Sequence, residues 1–460
     1  MRIFLSAGEA SGDAYGAALV REIKGGGVHP NRPDLQDAVL ALMRKELAQL
    51  SEFNWEADFS DTWDVDDLEG VEFLYSLRDE FGIAVAEQDV ISWKTNLNVL
   101  DLVCNRLFKS ESVSDLCFEG IGGPRLRTEG VKLYADSSHW GAISIAQAAK
   151  VFFRILWTMH GLKHNLRRGI PGLLIVIDFG FANIRLAKYA RKHGWKVLYF
   201  VPPGSWRRDR QGTDIPIISD EIVTPFEWSA EILNRMGGKA HWFGHPIKQL
   251  IREEASLREE RVGGGTIAVL PGSRKHELEM NLPLIAKAVG EKAVQGGLTE
   301  TLEFALAPGI NLEKFKEEWN RLAPGRQDLY TVGDTYVVLR RARMGIICSG
   351  TATLEAALCG CPMVVVYQLS KAMIREAKLI RMKRPKFISL PNIIMDREIV
   401  PELADERQVE PADLRAWIDR LLIEEDVRCR QLEDFRELDR LLGADHAITK
   451  TAELAIKMIS

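Results

Sequence analysis

One unit recurs in both halves of the chain and limits what it can fold into: a short apolar run, a turn of small residues, then a helix-patterned stretch. It reads "RIFLSAG" before "SGDAYGAALVREIK", "LLIVID" before "FGFANIRLAK", "TIAVLPGSR" before "KHELEM", and "MGIIC" before "SGTATLEAAL". Runs that are apolar at every position suit strands covered on both faces, and their alternation with helices calls for parallel crossovers. "WKVLYFV", "LEFALA" and "PMVVVY" extend the pattern. The fold class expected is α/β with doubly wound parallel sheets.

At 460 residues the chain is too long for one ordinary core, so two such sheets are expected. The break falls in "WFGHPIKQLIREEASLREERVGGG", where charged and glycine-rich sequence separates the two sets of strands. This sets a first doubly wound domain at residues 1–27 and 113–250 and a second at 251–460, whose last helices are expected to pack back on the first. Residues 28–112 break the rhythm, because "DLQDAVLALMRKELAQL" and "LEGVEFLYSLRDEFGI" are amphipathic helices with no strand pattern between them. They read as a helical insertion.

Charged residues make up 27% and the formal net charge is -5, which gives no general signal for nucleic acid. Cys104, Cys117, Cys348, Cys359, Cys361 and Cys429 form no CxxC pair and no metal-ligand spacing, and the N-terminus does not read as a signal peptide. A reducing cytoplasm is the expected compartment. No apolar run reaches the roughly 18 to 20 residues of a spanning helix.

The turns carry the chemistry. In "VLPGSRKHE" a strand ends in a Pro-Gly-Ser turn ahead of a helix, so backbone N–H groups with Ser273 and Arg274 can grip a diphosphate, or simply connect strand to helix. In "CSGTATLEAAL", Ser349, Gly350 and Thr351 offer hydroxyls and amides at a helix start, to a phosphate or as plain caps. Glu355, one turn further, can accept hydrogen bonds from ribose hydroxyls or stand as a solvated helical glutamate. Asp178 ends a strand of the first sheet, where it is either a general base facing the interdomain cleft or a polar strand cap. Ser11 and Asp13 read as caps of the first helix.

Taken in order, "SAGEASGD", "GIGGPRLRTEG", "VLPGSRKHELEM", "SGTATLEAAL", "PMVVVY" and "ISLPNII" resemble the lipid-A-disaccharide synthase family. The resemblance covers residues 1–26 and about 113 to the C-terminus. It implies an inverting glycosyltransferase with two Rossmann-like domains facing a cleft (GT-B type). The reaction implied joins UDP-2,3-diacylglucosamine to 2,3-diacylglucosamine 1-phosphate (lipid X), releasing UDP and a β-1,6 disaccharide. By the same likeness Asp178 is the base, with Ser273, Arg274, Ser349, Gly350, Thr351, Glu355 and Asn392 on the UDP-sugar. Gly8, Glu9, Ser11, Gly12 and Asp13 would line the acceptor side. No metal and no cofactor is implied. Two other classes remain open: a homologue that binds UDP-sugar or lipid without turnover, and a UDP-amino-sugar epimerase-like enzyme.

Two segments depart from the family. "IDxPDFN" is here Ile177-Asp178-Phe179-Gly180-Phe181-Ala182-Asn183, and "SPxVWAW" is Pro202-Pro203-Gly204-Ser205-Trp206-Arg207-Arg208, a basic lining in place of an aromatic one. The insertion is similar to acyl carrier proteins over about residues 34–108, but Asp66-Asp67-Leu68 stands where the family's phosphopantetheine serine would be. An unmodified module is implied, either a spacer or a dock for a protein partner through Glu69, Glu72 and Asp79.

An acylated substrate has to leave a bilayer. "KVFFRILWTMHGLKHNLRR" sets Phe152 and Trp157 beside Lys150, Arg154 and Lys163, a composition suited to an interfacial helix or to a core helix with solvated ends. "REAKLIRMKRPKF" is a second cationic stretch of the same kind. Peripheral association with the cytoplasmic face of the inner membrane is expected.

Overall fold

A computed structural model describes residues 1–25, 39–43, 73, 75–80, 99, 116–137, 140, 145–168, 170–256, 265–290, 298–369, 374, 386–404 and 409–459. The first sheet is built from β1 (Arg2–Ala7), β2 (Cys117–Gly122), β3 (Lys132–Asp136), β4 (Leu173–Ile177), β5 (Lys196–Phe200), β6 (Glu221–Thr224) and β7 (Ala240–Trp242). Its order is β3-β2-β1-β4-β5-β6-β7, and every pairing is parallel. The helices between them are α1 (Glu9–Lys24), α2 (Pro124–Thr128), α3 (Ile145–Arg167), α4 (Gly180–Lys192), α5 (Ile215–Ile218) and α6 (Glu227–Arg235). The second sheet holds β8 (Ile267–Leu270), β9 (Leu302–Leu306), β10 (Leu329–Val332), β11 (Met344–Cys348), β12 (Met363–Val366) and β13 (Glu402–Leu403), all parallel, in the order β10-β9-β8-β11-β12-β13.

All seven runs expected to be strands are strands, and their residues are buried throughout β4, β8, β9, β11 and β12. Burial on both faces is what removes any polar alternation from these segments. The sequence pattern passed over β2, β3, β6, β7, β10 and β13. The β2 run "CFEGIG" shows why: its Glu119 is buried, with its charge met by Arg2 Nε at 2.7 Å and by the Tyr134 hydroxyl at 2.5 Å. A buried acid reads as a surface residue until its partners are known.

Residues 26 to 116 fall in sequence between α1 and β2, and β2 is the sheet neighbour of β1. Most of the expected insertion lies outside the described residues. Of what is described there, residues 39–43 and 75–80 are helical, and Val39, Met43 and Leu77 are buried. The expected capping of α1 by Ser11 and Asp13 is corrected: Gly8 is its N-cap and no side chain caps it.

The linker is itself a helix, α7 (Pro246–Ser256), which packs on α1. Beyond β8 follow α8 (Lys275–Val289), α9 (Leu312–Leu322), α10 (Thr335–Arg341), α11 (Thr351–Leu358), α12 (Leu390–Met395), α13 (Pro411–Ile423), α14 (Glu425–Leu441) and α15 (Ala447–Ile459). The last of these lies against α1 and α7. Buried Gln249 of α7 makes the joint: its Oε1 accepts from the Ile448 and Thr449 amides at 2.8 and 3.1 Å, the N-terminal turn of α15. Its Nε2 donates to Thr449 Oγ1 and Glu253 Oε1, both at 2.8 Å.

Glu22 of α1 is buried in that seam and its Oε2 has no partner. Burial, and then the negative charge of Glu253, push its carboxyl up from 4.5 to about 7. A raised folded pKa favours the fold at low pH, and that contribution is lost as pH rises from about 4.5 through 7. Glu22→Gln is therefore expected to gain stability over the parent by about 2 kcal/mol more at pH 8 than at pH 5. Urea unfolding at both pH values measures this, and a pH-independent difference would refute it.

Candidate functional site

Both sheets reverse their strand order once, between β1 and β4 and between β8 and β11. At each reversal the connections run to opposite faces, and a crevice is left beyond the carboxyl ends of the two strands. The sequence motifs fall at these two crevices: Gly8 and Asp178 follow β1 and β4, and the 271–274 and 349–351 turns follow β8 and β11.

In the first crevice Asp178 and Phe179 both take the left-handed conformation, with φ of 49° and 46°. Two successive non-glycine residues there cost about 1–3 kcal/mol each, so the surroundings must hold the turn. Buried Asn183 does so: its Nδ2 donates to the carbonyls of Ser6, Ile177 and Asp178 at 3.1, 3.0 and 2.9 Å, and its Oδ1 accepts from Ser6 Oγ. The Tyr199 hydroxyl adds a bond to the Asp178 carbonyl at 3.1 Å. The Phe179 ring settles over Gly8 and against Trp140, 5.8 Å between ring centres; a Cβ on Gly8 would lie 2.4 Å from Phe179 Cγ. Glycine is required at 8 by this contact.

Gly12 lies buried in the first turns of α1 and Ser11 is half-buried beside it, while Glu9 opens the helix. Asp13 is committed elsewhere. Its buried carboxylate accepts from the amides of Gly123 at 2.6 Å, Arg125 at 3.0 Å and Leu126 at 3.2 Å, so it caps α2.

In the second crevice the 271–274 turn already holds an anion. Glu277 Oε2 accepts from the Ser273 and Arg274 amides at 2.8 and 3.1 Å, and its Oε1 meets the Arg274 guanidinium at 3.3 Å. Gly272, at φ 124°, admits this carboxylate, since a Cβ there would lie 2.6 Å from Glu277 Oε2. The two amides expected to grip a diphosphate are thus engaged by a side chain of the protein. Opposite, Gly350 at φ 144° leads into α11, whose first residue is Thr351; Ser349 Oγ donates to the Ile388 carbonyl at 2.7 Å. Asn392 is fully buried and saturated, donating to Val400 O and Glu402 Oε1 and accepting from the Ile399 and Val400 amides. It acts with Glu402, which also takes the Ile388 and Ser389 amides at 2.9 Å each, to fix the loop that faces α11.

Tyr15 of α1 feels charge from both crevices. It is buried, packs on Phe200 and loses acidity through burial and then through the negative charges of Glu355 and Asp178. Glu355 accepts from the Tyr336 hydroxyl at 3.3 Å. Burial raises its carboxyl to about 7, against the pull of that hydrogen bond and of the Arg125 charge. Arg125 and Tyr15 come from the first domain and Glu355 and Tyr336 from the second, so Glu355 feels charge across the domain boundary. Among the described residues no group of three His, Cys, Asp or Glu is placed to hold a metal.

On α3, Ile155, Met159, Leu162 and Leu166 are buried while Trp157 is 85% exposed. One face of the helix is core and the other presents an aromatic to solvent. The side chain of Phe152 and most of the second cationic stretch lie outside the described residues. Sequence inspection missed Glu277, Tyr15 and Glu402. Only Glu277 carried a signal, a glutamate three residues after the N-cap of a helix.

The profile of a family described as "Lipid-A-disaccharide synthetase" matches residues 98–459. The lipid-A-disaccharide synthase of Syntrophus aciditrophicus (strain SB) is 31% identical over 359 residues, covering 74% of this chain and 90% of that protein. That of Myxococcus xanthus (strain DK1622) is 30% identical over 354 residues, covering 75% and 90%. A solved UDP-GlcNAc 2-epimerase from Neisseria meningitidis, bound to UDP-GlcNAc, is 12% identical with a TM-score of 0.46, covering 74% of this chain and 91% of that one. A likeness that remote says nothing of chemistry.

Asn183→Ala is expected to leave the carbonyls of Ser6, Ile177 and Asp178 without their shared donor and to cost about 3 kcal/mol. Urea unfolding is the measurement; a loss under about 0.5 kcal/mol would mean the strained turn holds itself.

Proposed function

Since the chain belongs to the lipid-A-disaccharide synthetase family, we propose that its two facing crevices carry out hexosyl transfer between two acylated glucosamines. The chain is a glycosyltransferase of lipid A biosynthesis. It moves 2,3-diacylglucosamine from its UDP derivative to 2,3-diacylglucosamine 1-phosphate, forming the β-1,6 disaccharide and releasing UDP.

The observation that carries the mechanism is that Asp178 and the Arg274 and Gly350–Thr351 turns all stand at the carboxyl ends of the strands flanking the two reversals of strand order. The donor lies along the second domain with its ribose at Glu355. Its diphosphate meets the Arg274 guanidinium and the N-terminal end of α11 at Gly350 and Thr351, where cation and helix dipole stabilise the charge that grows on departing UDP. Glu277 keeps the Ser273 and Arg274 amides, so it sets the Arg274 turn from beneath rather than leaving those amides to the phosphates. The acceptor's 6-hydroxyl enters from the first domain, Asp178 takes its proton, and the oxygen attacks the anomeric carbon in a single inverting displacement. The left-handed turn at 178 and 179 supports this assignment, because backbone strain held by a buried amide is a cost the fold alone does not require.

The enzyme works at the cytoplasmic face of a membrane, from which its acylated substrates are drawn. The outward Trp157 on a helix whose other face is core supports this, and among the described residues no helix is long and apolar enough to cross a bilayer.

With both lipid substrates supplied, UDP release by Asp178→Asn is expected to fall by about 10²- to 10⁴-fold while UDP affinity stays that of the parent. If the unaltered chain releases no more UDP than the variant, the transferase mechanism fails. UDP affinity should also rise with pH through about 7, where Glu355 ionises and gains acceptor capacity for the ribose hydroxyls. Calorimetric titration at pH 6 and 8 should show that rise in the parent and a flat profile in Glu355→Gln.

A further inference from the structure

The loop after β5, where the sequence leaves its family's aromatic pattern for Trp206-Arg207-Arg208, has a built form. It starts at Val201, left-handed at φ 54°, and runs beside the Asp178 turn: a Cβ on Gly180 would lie 2.8 Å from Pro203 Cγ. Buried Gln211 reaches back across it and donates to the Arg207 carbonyl at 2.8 Å and to the Ser205 carbonyl at 3.4 Å. Trp228 Nε1 donates to the same Ser205 carbonyl at 3.2 Å.

Arg208 anchors the loop to the other domain. Its guanidinium lies over the Trp228 ring at 3.9 Å and donates to the Ile394 carbonyl at 2.8 Å, in the last turn of α12. That position suits a cation, because the carbonyl end of a helix is negative, and Asp396 adds its charge nearby. Arg207 is different. It is half-buried, stands over the Trp206 ring at 5.1 Å, and among the described residues no carboxylate pairs with it. The loop's one acid, Asp209, faces Arg210 at 3.8 Å, so among the described residues this cation, held on a braced loop beside the Asp178 turn, has no negative partner of its own.

We propose that residues 202–210 form the subsite for the acceptor's phosphate, with Arg207 as the cation that binds it and Arg208 as the strut that holds the loop against α12. This rests on the transferase mechanism above and deepens it. The acceptor carries a free phosphomonoester on the anomeric carbon where the donor carries uridine diphosphate, so a cation here recognises the group that marks the acceptor. The planar guanidinium offers paired N–H groups to two phosphate oxygens, and the Trp206 face limits its rotamers before the ligand arrives. Arg208 is a positioning residue, since its guanidinium is spent on Trp228 and Ile394.

The test compares 2,3-diacylglucosamine 1-phosphate with 2,3-diacylglucosamine lacking the phosphate, on the full chain. Arg207→Gln is expected to lower kcat/KM for the phosphorylated acceptor by about 10- to 100-fold, leave the other acceptor unchanged and leave the donor KM unchanged. Arg208→Gln should weaken both acceptors alike, keeping the preference for phosphate. The proposal is overturned if Arg207→Gln retains the parent's preference, or loses both acceptors equally. It is overturned too if that variant only sediments less with phosphatidylglycerol vesicles, which would assign Arg207 to bilayer headgroups. Should the unaltered chain release no UDP, the transferase mechanism fails on its own. Calorimetric binding of the two acceptors then still decides the subsite, since the parent must prefer the phosphorylated one and Arg207→Gln must not.

Discussion

The reversal of strand order in each sheet is the constraint on which the site depends. Parallel strands deliver their carboxyl ends to one edge of the sheet, and only where neighbouring crossovers diverge, at β1/β4 and β8/β11, does a crevice open there. The reacting groups can then be few. A carboxylate stands just past β4 and a helix starts just past β11, and the linker helix α7 is fastened to α15 through Gln249.

Several motif residues serve that placement rather than the substrates. Asp13 caps α2, Glu277 fills the turn that ends β8, and Asn392 with Glu402 stiffens the loop facing α11. Each is a buried polar group satisfied by backbone amides, the arrangement that carries the largest penalty when one partner is removed. A recurring acid or amide in such a chain is therefore as readily a fixture of the turn as a ligand of the nucleotide. The left-handed pair at Asp178 and Phe179 shows the reverse case, in which Asn183 satisfies backbone carbonyls so that a costly turn can persist.

Legibility differed between elements for identifiable reasons. β4 and β11 were visible because every residue in them is apolar, while β2 was hidden by a buried Glu119 whose partners lie 117 residues back and 15 ahead. Of the candidate site, the places of Asp178, Arg274 and Glu355 at strand ends and on the helix after β11 were legible. Tyr15 was not, because nothing local distinguishes it from the apolar face of α1, and its importance comes from two acids of different domains. The departures at 178–183 and 202–208 were legible as departures only. That the second replaced an aromatic lining by a strut to α12 needed the position of Trp228 and Ile394.

The sequence by itself determined the local grammar: which runs become buried strands, where helices begin, and which turn residues stand at strand ends. These follow from periodicity and backbone preference within a few residues of each position. Tertiary structure alone decided which charges meet, because an electrostatic partner is chosen by distance in space and by the loss of water around it. Glu119 beside Arg2 and Tyr134, and Asp13 under α2, became specific only when the chain had brought distant segments within a few ångströms and removed the solvent that would otherwise have screened them.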